Sequence, residues 1–410
     1  MTQRLYFTDS FLYEFGAEVV ESGVQGDSRA AVVLDRTAFY PTSGGQVFDT
    51  GWLFPSESHG PKLRVIEVAE RDDGAILHYM EDAQSPEKGT RVHGVIDIER
   101  RHDHMQQHSG QHVLSAAFVR LFNFPTVSFH MGVDYCSIDL DAPGLGAEQV
   151  EAAESLANDV VTQNRPVEIR FVTQEEARNL GLRKLPPAEK AQLRLIEIQD
   201  FDLTACGGTH VTGTGQIGSI LLRKTEKVKQ GWRVEFVCGK RALATARRDY
   251  KTLTEAGSLL SGHIWDVPEQ IRKIQEEARG ARKNTGHLLE ELADFEAERL
   301  LSTAAEDNGR KIVMQILPDR DLAYIKLLAQ RLTRRGGNVI ALLAATSGQP
   351  SIVFAASPAQ PFDMGALMRQ ALATLGGRGG GSKDMAQGGP TSTEALEPVL
   401  KEIVRQLNGG

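Results

Sequence analysis

The chain has 410 residues, of which 41% are hydrophobic and 24% are charged, and its formal net charge is −8. These values are ordinary for a globular protein and exclude a largely disordered or collagen-like chain. At roughly 100–200 residues per domain, the length predicts two to four domains. No apolar run approaches the ~18–20 residues that cross a bilayer, and the first residues lack the pattern of a secretory signal. We therefore expect a cytoplasmic protein without a membrane partner.

Residues 1–92 are predicted to form a small β-barrel. Short apolar runs occur at residues 30–40 (AAVVLDRTAFY), 62–70 (KLRVIEVAE) and 74–80 (GAILHYM). Clusters of Gly, Pro, Ser and Asp separate them, as turns separate strands. Short strands at this spacing are typical of a barrel.

Residues 93–250 change in character and predict an α/β layer domain. A segment of helical composition at 97–122 contains no proline, and a second helix is expected at about 149–163. A strand-like run (VEIRFVT), a short helical piece (QEEARNL) and a hairpin at 218–239 follow. Such alternation of strands and helices is typical of a layered domain.

Residues 251–305 are predicted to be a helical hairpin that links two domains, with Gly262 to Pro268 between its helices. Apolar residues follow the a and d positions of a heptad, which is compatible with a homodimer through this hairpin. These residues are Ile271, Ile274, Ala278, Ala281, Leu288, Leu292 and Phe295. Residues 306–410 predict a C-terminal α/β module. The expected fold class is thus a multidomain α+β protein.

Two sequence motifs predict a metal site. His108 and His112 are separated by four positions, which places both imidazoles on one face of a helix. Cys206 and His210 flank two glycines and a threonine in a segment that a regular helix disfavours. Three imidazoles and one thiolate suit tetrahedral Zn2+, one ion per chain.

The spacing leaves alternatives open. A single His-x3-His pair is usually without function, and the second pair with its cysteine is what raises the expectation of metal binding. His104, His108 and His112 form an i, i+4, i+8 series, so His104 can replace His112 as a ligand, and His102 is also nearby. With Cys136 and Cys238, the chain has three cysteines. This odd and sparse set argues against a disulfide framework.

A third motif runs from Thr37 to Gln46 (TAFYPTSGGQ) and is followed by Asp49. Proline fixes a turn there, Gly44 and Gly45 permit close backbone approach, and the glutamine offers both a donor and an acceptor. On composition alone, a hairpin turn without function is the favoured interpretation.

Two further segments can contact phosphate. From Arg223 to Lys251 there are ten Lys or Arg residues against three acids, a local charge of +7 that fits either a solvated face or a phosphate contact. The segment at 376–390 (GGRGGGSKDMAQGGP) does not fit a P-loop. It can still wrap backbone N–H groups around a phosphate, with Arg378 and Lys383 adding charge, or it can be a flexible loop.

Taken together, HSGQH, CGGTH, TAFYPTSGGQ and GGRGGGSKDMAQGG resemble the alanyl-tRNA editing proteins, the stand-alone relatives of the editing region of alanyl-tRNA synthetase. The resemblance spans nearly the whole chain in the family's order, and QGWRVEFVCGKRAL at 230–243 shares it. The C-terminal module is similar to the DHH-associated domain of the long form. Ser43 departs from the third glycine that stand-alone members often carry.

The resemblance implies a zinc-dependent hydrolase that deacylates tRNA(Ala) mischarged with serine, with glycine as a second candidate. The implied domains are a β-barrel (1–92), a zinc editing domain (93–250), a helical linker (251–305) and a DHH-associated, tRNA-binding domain (306–410). Since the barrel begins almost at Met1, no room is expected for an adenylation domain, and editing is expected in trans. The matched residues are zinc ligands His108, His112, Cys206 and His210; catalytic Gln46 and Thr37; substrate contacts Gly44, Gly45 and Thr209; and tRNA contacts Arg378, Lys383, Arg223 and Lys224.

Four protein ligands fill a tetrahedral shell and leave no place for water. Displacement of a ligand, a five-coordinate shell, or orientation of the substrate by the metal are the alternatives, and orientation is favoured. The sequence shows no obvious general base, and a ribose hydroxyl of the substrate can assist. One rival is a non-catalytic tRNA-binding module with a structural zinc. A phosphodiesterase is a second rival, which the absence of histidine from residues 310–410 disfavours.

Overall fold

The computed structural model describes residues 2–24, 29–55, 62–82, 85–180, 182, 192–307 and 309–409. The chain folds as two units, Met1–Glu255 and Ala256–Gly410. Among the described residues, no helix combines the length and the apolar character that a membrane span requires.

The first part of unit one is a closed barrel of six strands in the order β2-β3-β7-β6-β5-β8, which confirms the predicted small β-barrel. Its interior is filled by aliphatic and aromatic side chains such as Val32, Leu34 and Phe39. β1 pairs with β4 in parallel beside the barrel. The strands are β1 (Gln3–Arg4), β2 (Glu14–Val24), β3 (Ala30–Leu34), β4 (Arg36–Thr37), β5 (Gly51–Pro55), β6 (Leu63–Glu70), β7 (Ile76–Met80) and β8 (Arg91–Ile96).

The second part of unit one has two antiparallel sheets, β14-β15-β10-β9 and β11-β12-β13, with two long helices. One apolar cluster fills the space between them, and Leu114, Phe118 and Phe236 are at its centre. The elements are α1 (Ile98–Phe122), β9 (Thr126–Met131), β10 (Cys136–Leu140), α2 (Ala147–Thr162), β11 (Val167–Thr173), α3 (Gln174–Asn179), β12 (Gln192–Ile198), β13 (Asp202–Ala205), β14 (Ile220–Val228), β15 (Gly231–Cys238) and α4 (Gly239–Leu259).

Helix α1 is the central element of unit one. Asp97 caps its start, because the carboxylate accepts a hydrogen bond from the Arg100 amide, and Asn123 ends it in the left-handed conformation at φ 57°. Sixteen of its 25 residues are buried. A helix that is buried nearly all round lies inside a core rather than on a surface. This position brings both histidines of its metal motif into the protein interior.

The second unit contains a six-stranded sheet in the order β16-β17-β18-β19-β21-β20. Alternate residues of β18 face two separate clusters: Ile340 and Leu342 pack towards α7 and α8, whereas Ala341 and Leu343 pack towards α5 and α6. Burial on both faces explains the continuous apolar runs of these strands. The elements are α5 (Val267–Thr303), β16 (Glu306–Asp307), β17 (Arg310–Leu317), α6 (Leu322–Arg335), β18 (Val339–Ala345), β19 (Ser351–Ala356), α7 (Met364–Leu375), β20 (Arg378–Gly381), β21 (Met385–Gly389) and α8 (Leu396–Leu407).

Two segments differ from what their sequence indicates. The apolar a and d residues of α5 are exposed, with Leu288 at 55% and Phe295 at 68%. The buried residues of α5 are Val267 at its start and Ala293, Ala297 and Leu300 near its end. The pairing of the exposed a and d residues with another helix therefore stays a prediction. The glycine-rich segment forms the hairpin β20–β21 in place of a flexible loop, because its strands pair in register from Arg378 to Gly389.

Candidate metal centre

The two metal motifs meet although 94 positions separate His112 from Cys206. α1 presents its two histidines one turn apart, and the Cys206–His210 loop begins directly after β13. The ligand atoms of the four residues all lie within 4.8 Å of one another. Cys206 Sγ is 3.4 Å from His108 Nε2 and 3.3 Å from His210 Nε2. These separations match the S-to-N edge of about 3.5 Å expected for tetrahedral Zn2+.

The other nitrogen of each imidazole faces an oxygen atom. His108 Nδ1 is 2.7 Å from Gln46 Oε1, and His210 Nδ1 is 3.1 Å from Ser109 Oγ. His112 Nδ1 lies 3.6 Å from the Asp202 carboxylate, beyond hydrogen-bond distance. Since an amide oxygen only accepts, the His108 proton sits on Nδ1 and leaves the Nε2 lone pair free. Such outer contacts are the usual partners of metal-ligating histidines.

Electrostatics also favour a cation at the cluster. Burial by itself raises the pKa of Cys206, but His108, His210 and His112 together lower it well below its ordinary value. Burial lowers the pKa of His210 to about 3, so this imidazole is neutral at physiological pH. A thiolate beside neutral imidazole is the protonation state that binds a divalent metal. The donor set therefore fits a metal ion.

His104 does not join this group. It lies one turn before His108 on α1, is buried, and has a free Nδ1 without a hydrogen-bond partner among the described residues. Burial lowers its pKa to about 4. His102 also lies outside the group. The spacing of the histidines left open whether His104 or His112 joins the cluster. The fold brings in His112, because the Cys206–His210 loop approaches α1 at His108 and His112.

A cavity of about 520 Å³ adjoins the cluster. His108, His112 and Cys206 form part of its wall, so a small molecule inside it contacts the metal-ligand side chains directly. Backbone at Gly44, Gly207 and Gly208 completes that side. The polar side chains of the wall are Tyr40, Ser43, Gln111, Thr126, Ser128 and Thr204, and no carboxylate is among the described residues that line it.

Gln46, predicted to be catalytic, lies beside the candidate metal ligands. It is fully buried and does not line the cavity. Its oxygen faces His108 and accepts from the Thr209 amide at 3.1 Å, while its NH2 group donates to Thr209 Oγ1 at 2.8 Å. These contacts hold His108 and the Cys206–His210 loop together. Gln46 and Thr209 thus contact the candidate metal ligands, and their predicted roles towards a substrate stay predictions.

Thr37 is not brought to the cavity either. Its hydroxyl lies 2.8 Å from His78 Nε2 and accepts from the Phe39 amide, all inside the barrel. Burial lowers the pKa of His78 to about 4. A catalytic role for Thr37 stays a prediction that these contacts do not support. The sequence could not reveal this, because inward and outward positions differ by only one residue in a strand.

Two glycines are required by close packing at the centre. Gly45 has φ +83°, and a Cβ there would lie 2.6 Å from the Phe129 carbonyl oxygen. A Cβ on Gly208 would lie 2.1 Å from His108 Cε1. Of the predicted substrate glycines, Gly44 lines the cavity and Gly45 packs behind it. The first motif therefore needs glycine where it approaches β9, and the second needs glycine where it approaches α1.

Sequence reasoning missed the Arg101–Asp49 pair, in which both side chains are fully buried and 2.5 Å apart. Arg101 also donates to the carbonyl groups of Ser10 and Ala38. Asp49 accepts from the Tyr40 amide at 2.7 Å. The pair ties the segment that carries Gln46 to α1. The only signal in the sequence was an acid directly after the glycine motif.

The predicted tRNA contacts lie on surfaces. Arg378 and Lys383 are exposed at the β20–β21 hairpin. Arg223 pairs with Asp249, and Lys224 pairs with Glu226, so both charges are partly neutralised. In the basic stretch, Arg233, Lys240, Arg241 and Lys251 also form ion pairs. This stretch is therefore less available to phosphate than its sequence indicates.

Comparison with known proteins gives three matching families. Residues 8–100 match tRNA synthetases class II (A), residues 193–235 match the threonyl and alanyl tRNA synthetase second additional domain, and residues 308–409 match the DHHA1 domain. The chain is 34% identical to an alanine–tRNA ligase of Archaeoglobus fulgidus over 99% of its own length and 44% of the ligase. It therefore spans about half the length of the curated ligases that it matches.

A second relative is similar from end to end. The alanyl-tRNA editing protein AlaX-L of Pyrococcus horikoshii is 29% identical over 95% of this chain and 94% of its own length. The alanine–tRNA ligase of Pyrococcus abyssi is 30% identical over 99% of this chain and 44% of the ligase. Together with the three domain matches, this similarity over nearly the whole of both chains shows that the chain belongs to the long-form alanyl-tRNA editing proteins, which are related to the editing and C-terminal domains of alanyl-tRNA synthetase.

Proposed function

We propose that this protein is a metal-dependent deacylase that hydrolyses the ester between a wrong amino acid and tRNA(Ala). The observation that carries the proposal is the convergence of His108, His112, Cys206 and His210 beside a cavity of about 520 Å³. The full-length relative named as an alanyl-tRNA editing protein supports the choice of substrate. Serine is the principal amino acid we expect, and glycine the second.

The four ligands would hold one Zn2+ per chain. When bound, this ion supplies a Lewis acid that polarises a carbonyl group or anchors an amino group of the substrate. Four protein ligands fill a tetrahedral shell, which favours orientation of the substrate over activation of a bound water. The wall of the cavity contains no carboxylate among its described residues, so proton transfer falls to a hydroxyl of the wall or of the substrate's ribose.

Selectivity between serine and alanine would come from the polar wall. A hydrophobic pocket discriminates a hydroxyl by only about a hundredfold, whereas a site that hydrogen-bonds a hydroxyl strongly rejects the analogue that lacks it. Gln111, Thr126, Ser128 and Thr204 offer such hydrogen bonds in the cavity. The Gln111 NH2 group donates to Ser115 Oγ, which fixes the orientation of the amide. These residues replace Gln46 and Thr37 as the candidates for contact with serine.

The test is a deacylation panel of Ser-, Gly- and Ala-tRNA(Ala) with metal analysis of the same protein. We expect rapid hydrolysis of the serine ester, slow hydrolysis of the alanine ester, and about one zinc per chain. His108→Ala should lose both zinc and activity, while His102→Ala, on the same helix, should keep both. Retention of zinc by His108→Ala, or absence of hydrolysis by zinc-loaded wild type, would contradict the proposal.

A closed shell of four protein ligands is also typical of structural zinc, so a non-catalytic tRNA-binding module is the second candidate. Chelation separates the two. If zinc removal unfolds unit one and the zinc-loaded protein hydrolyses no ester, the structural role is correct. If the chelated protein keeps its circular dichroism and regains hydrolysis with zinc, the catalytic role is correct.

The functional domains would follow the predicted boundaries, with residues 306–410 contributing tRNA affinity. Exposed Arg378 and Lys383 at the β20–β21 hairpin are the candidate phosphate contacts. Replacing both by Ala should weaken tRNA binding and reduce its salt dependence, with little effect on the hydrolysis rate at saturation. Lys401→Ala on α8 is the matched control. Equal affinity of the double variant and the wild type would refute this role.

A further inference from the structure

A second cavity, of about 740 Å³, lies next to the cavity at the candidate metal centre, which we call the metal cavity. The two share Tyr40, Ser43 and Gly207. Nothing in the proposed hydrolysis requires it. Its other walls come from the N-terminal segment and from the turn between β6 and β7. Because the two cavities share three residues, they are adjacent, and a ligand larger than one cavity can contact both.

We propose that this second cavity binds a nucleobase with an exocyclic amine from the single-stranded CCA end of the tRNA. The inference rests on the proposed function, since the ester lies in the metal cavity. Adenine and cytosine both present an amine beside a ring nitrogen. The source is either the terminal adenosine or the preceding cytidine, and the experiment below distinguishes them.

The stacking surface is Phe7, a half-buried ring in the wall of the cavity. The guanidinium groups of Arg4 and Arg194 lie 5.5 and 5.7 Å from its centroid. Phe7 also lies next to the Cys206–His210 loop (the metal loop), because a Cβ on Gly207 would lie 3.8 Å from Phe7 Cε1. Aromatic rings at the edge of a nucleic-acid channel stack with bases, and adjacent arginines add cation–π attraction.

The wall of the cavity also carries carboxylates, at Glu70, Asp72 and Asp73. Glu70 pairs with Arg4, and Asp73 pairs with Arg71 and accepts from the Ala75 amide. Asp72 is exposed and forms no hydrogen bond or ion pair within the described part of the chain. Carboxylates accept hydrogen bonds from base amines and repel phosphate. The cavity therefore suits a base and not the sugar–phosphate backbone.

Arg194 strengthens the link between the two cavities. It is 8% exposed, donates to the carbonyl oxygens of Phe7 and Cys206, and keeps one guanidinium nitrogen without a partner among the described residues. It thus holds the base-stacking ring and the metal loop in a fixed relation. A substrate that fills both cavities would be positioned by both at once.

The first experiment measures binding of unacylated RNA minihelices by the full-length protein. Three minihelices end in CCA, in UUA, or in CC followed by purine riboside, which lacks the amine. We expect Phe7→Leu to raise the Kd for the CCA end about tenfold, through loss of the flat ring. Asp72→Asn should reduce the preference for a base with an exocyclic amine at only one of the two positions, the terminal adenosine or the preceding cytidine. The position affected identifies the base that the cavity binds.

Phe54→Leu and Asp82→Asn are the matched controls, because both residues lie on the barrel surface and line neither cavity. Neither control should change the Kd. If Phe7→Leu binds the CCA end within twofold of wild type, or if wild type binds all three ends equally, the inference is overturned.

Hydrolysis of the serine ester separates this inference from the proposed function. Phe7→Leu should raise KM for Ser-tRNA(Ala) and leave kcat nearly unchanged. If wild type discriminates the minihelices but hydrolyses no ester, the proposed function fails and the nucleobase site stands. If hydrolysis is normal and Phe7→Leu changes neither Kd nor KM, the nucleobase site fails and the proposed function stands.

Discussion

Helices α1 and α5 have opposite relations between composition and burial. α1 is rich in histidine, glutamine and serine, yet it is buried over most of its length. α5 carries a stripe of Ile, Leu and Phe, yet that stripe is exposed over most of its length. The difference shows that hydrogen-bond partners, rather than polarity, decide whether a helix can be buried.

Two buried glutamines of α1 have defined partners in distant segments. Gln107 donates to the Cys238 carbonyl oxygen and accepts from the Cys238 amide, and Gln106 donates to the Gln216 carbonyl oxygen. α5 instead keeps its charged groups in solvent, where pairs such as Asp294–Arg335 have side chains 32% and 46% exposed. Mutations matched between the two helices test this contrast.

The largest expected effect is on the buried ion pair of α1. Arg101→Met leaves the buried Asp49 carboxylate without its cationic partner and should lower the free energy of unfolding by about 3–5 kcal/mol. Arg335→Met removes the exposed partner of Asp294 on α5 and should cost about 0–1 kcal/mol. Urea unfolding of the two variants measures both values. The double variant Arg101→Met with Asp49→Leu should recover part of the loss, and equal effects at the two pairs would contradict the contrast.

Truncation of an apolar side chain should likewise cost more unfolding free energy on α1 than on α5. Leu114→Ala on α1 creates a cavity at a fully buried position and should cost about 2–5 kcal/mol of unfolding free energy. Leu288→Ala on α5 removes a side chain that is 55% exposed and should change stability by less than about 0.5 kcal/mol. A large loss at Leu288, dependent on protein concentration in urea unfolding, would instead show that the stripe of α5 is covered by another chain.

The pH dependence of stability should differ between the helices. Burial lowers the pKa of His104 to about 4, whereas an unfolded histidine has a pKa of about 6.5. Between these values the unfolded chain binds a proton that the folded chain does not. This contribution to stability is therefore lost as pH falls from 6.5 to 4, by at most about 3 kcal/mol.

His104→Gln should accordingly flatten the curve of urea midpoint against pH over this window. His287→Gln, at a position on α5 that solvent surrounds, should leave the curve unchanged. His78 contributes in the same direction and is retained in both variants. An unchanged slope in His104→Gln would show that this imidazole is protonated in the folded protein.

The smallest effect concerns the outer contact of α1 with Gln46. Gln46→Ala removes the oxygen that orients His108 and should weaken zinc affinity about 10- to 100-fold. Competition with a chelator measures this, and exposed Gln370→Ala is the control. If zinc affinity is unchanged and only deacylation falls, Gln46 acts on the substrate, as the sequence motif first indicated.

The barrel, the hairpin β14–β15 and the strands of the C-terminal sheet were predictable because local patterns of apolar residues and turns mark them. The four residues of the candidate metal centre were also predictable as a set of residue types. The roles of Gln46, Thr37 and Thr209 were not, because a side chain's direction depends on contacts with segments far away in sequence. The pairing of the glycine-rich hairpin depended likewise on its neighbour β19, which pairs with β21.

The order of domains, the residue types that can bind a divalent metal, and the glycines that allow loops to approach closely all follow from the amino-acid sequence alone. Which histidines gather depends on the fold, because the Cys206–His210 loop meets α1 at His108 and His112 and not at His104. The contact of Gln46 with His108, the place of Thr37 within the barrel, and the second cavity beside the first also depend on the fold. Spacing along a chain fixes which groups share a face, whereas burial and long-range hydrogen bonds fix what that face contacts.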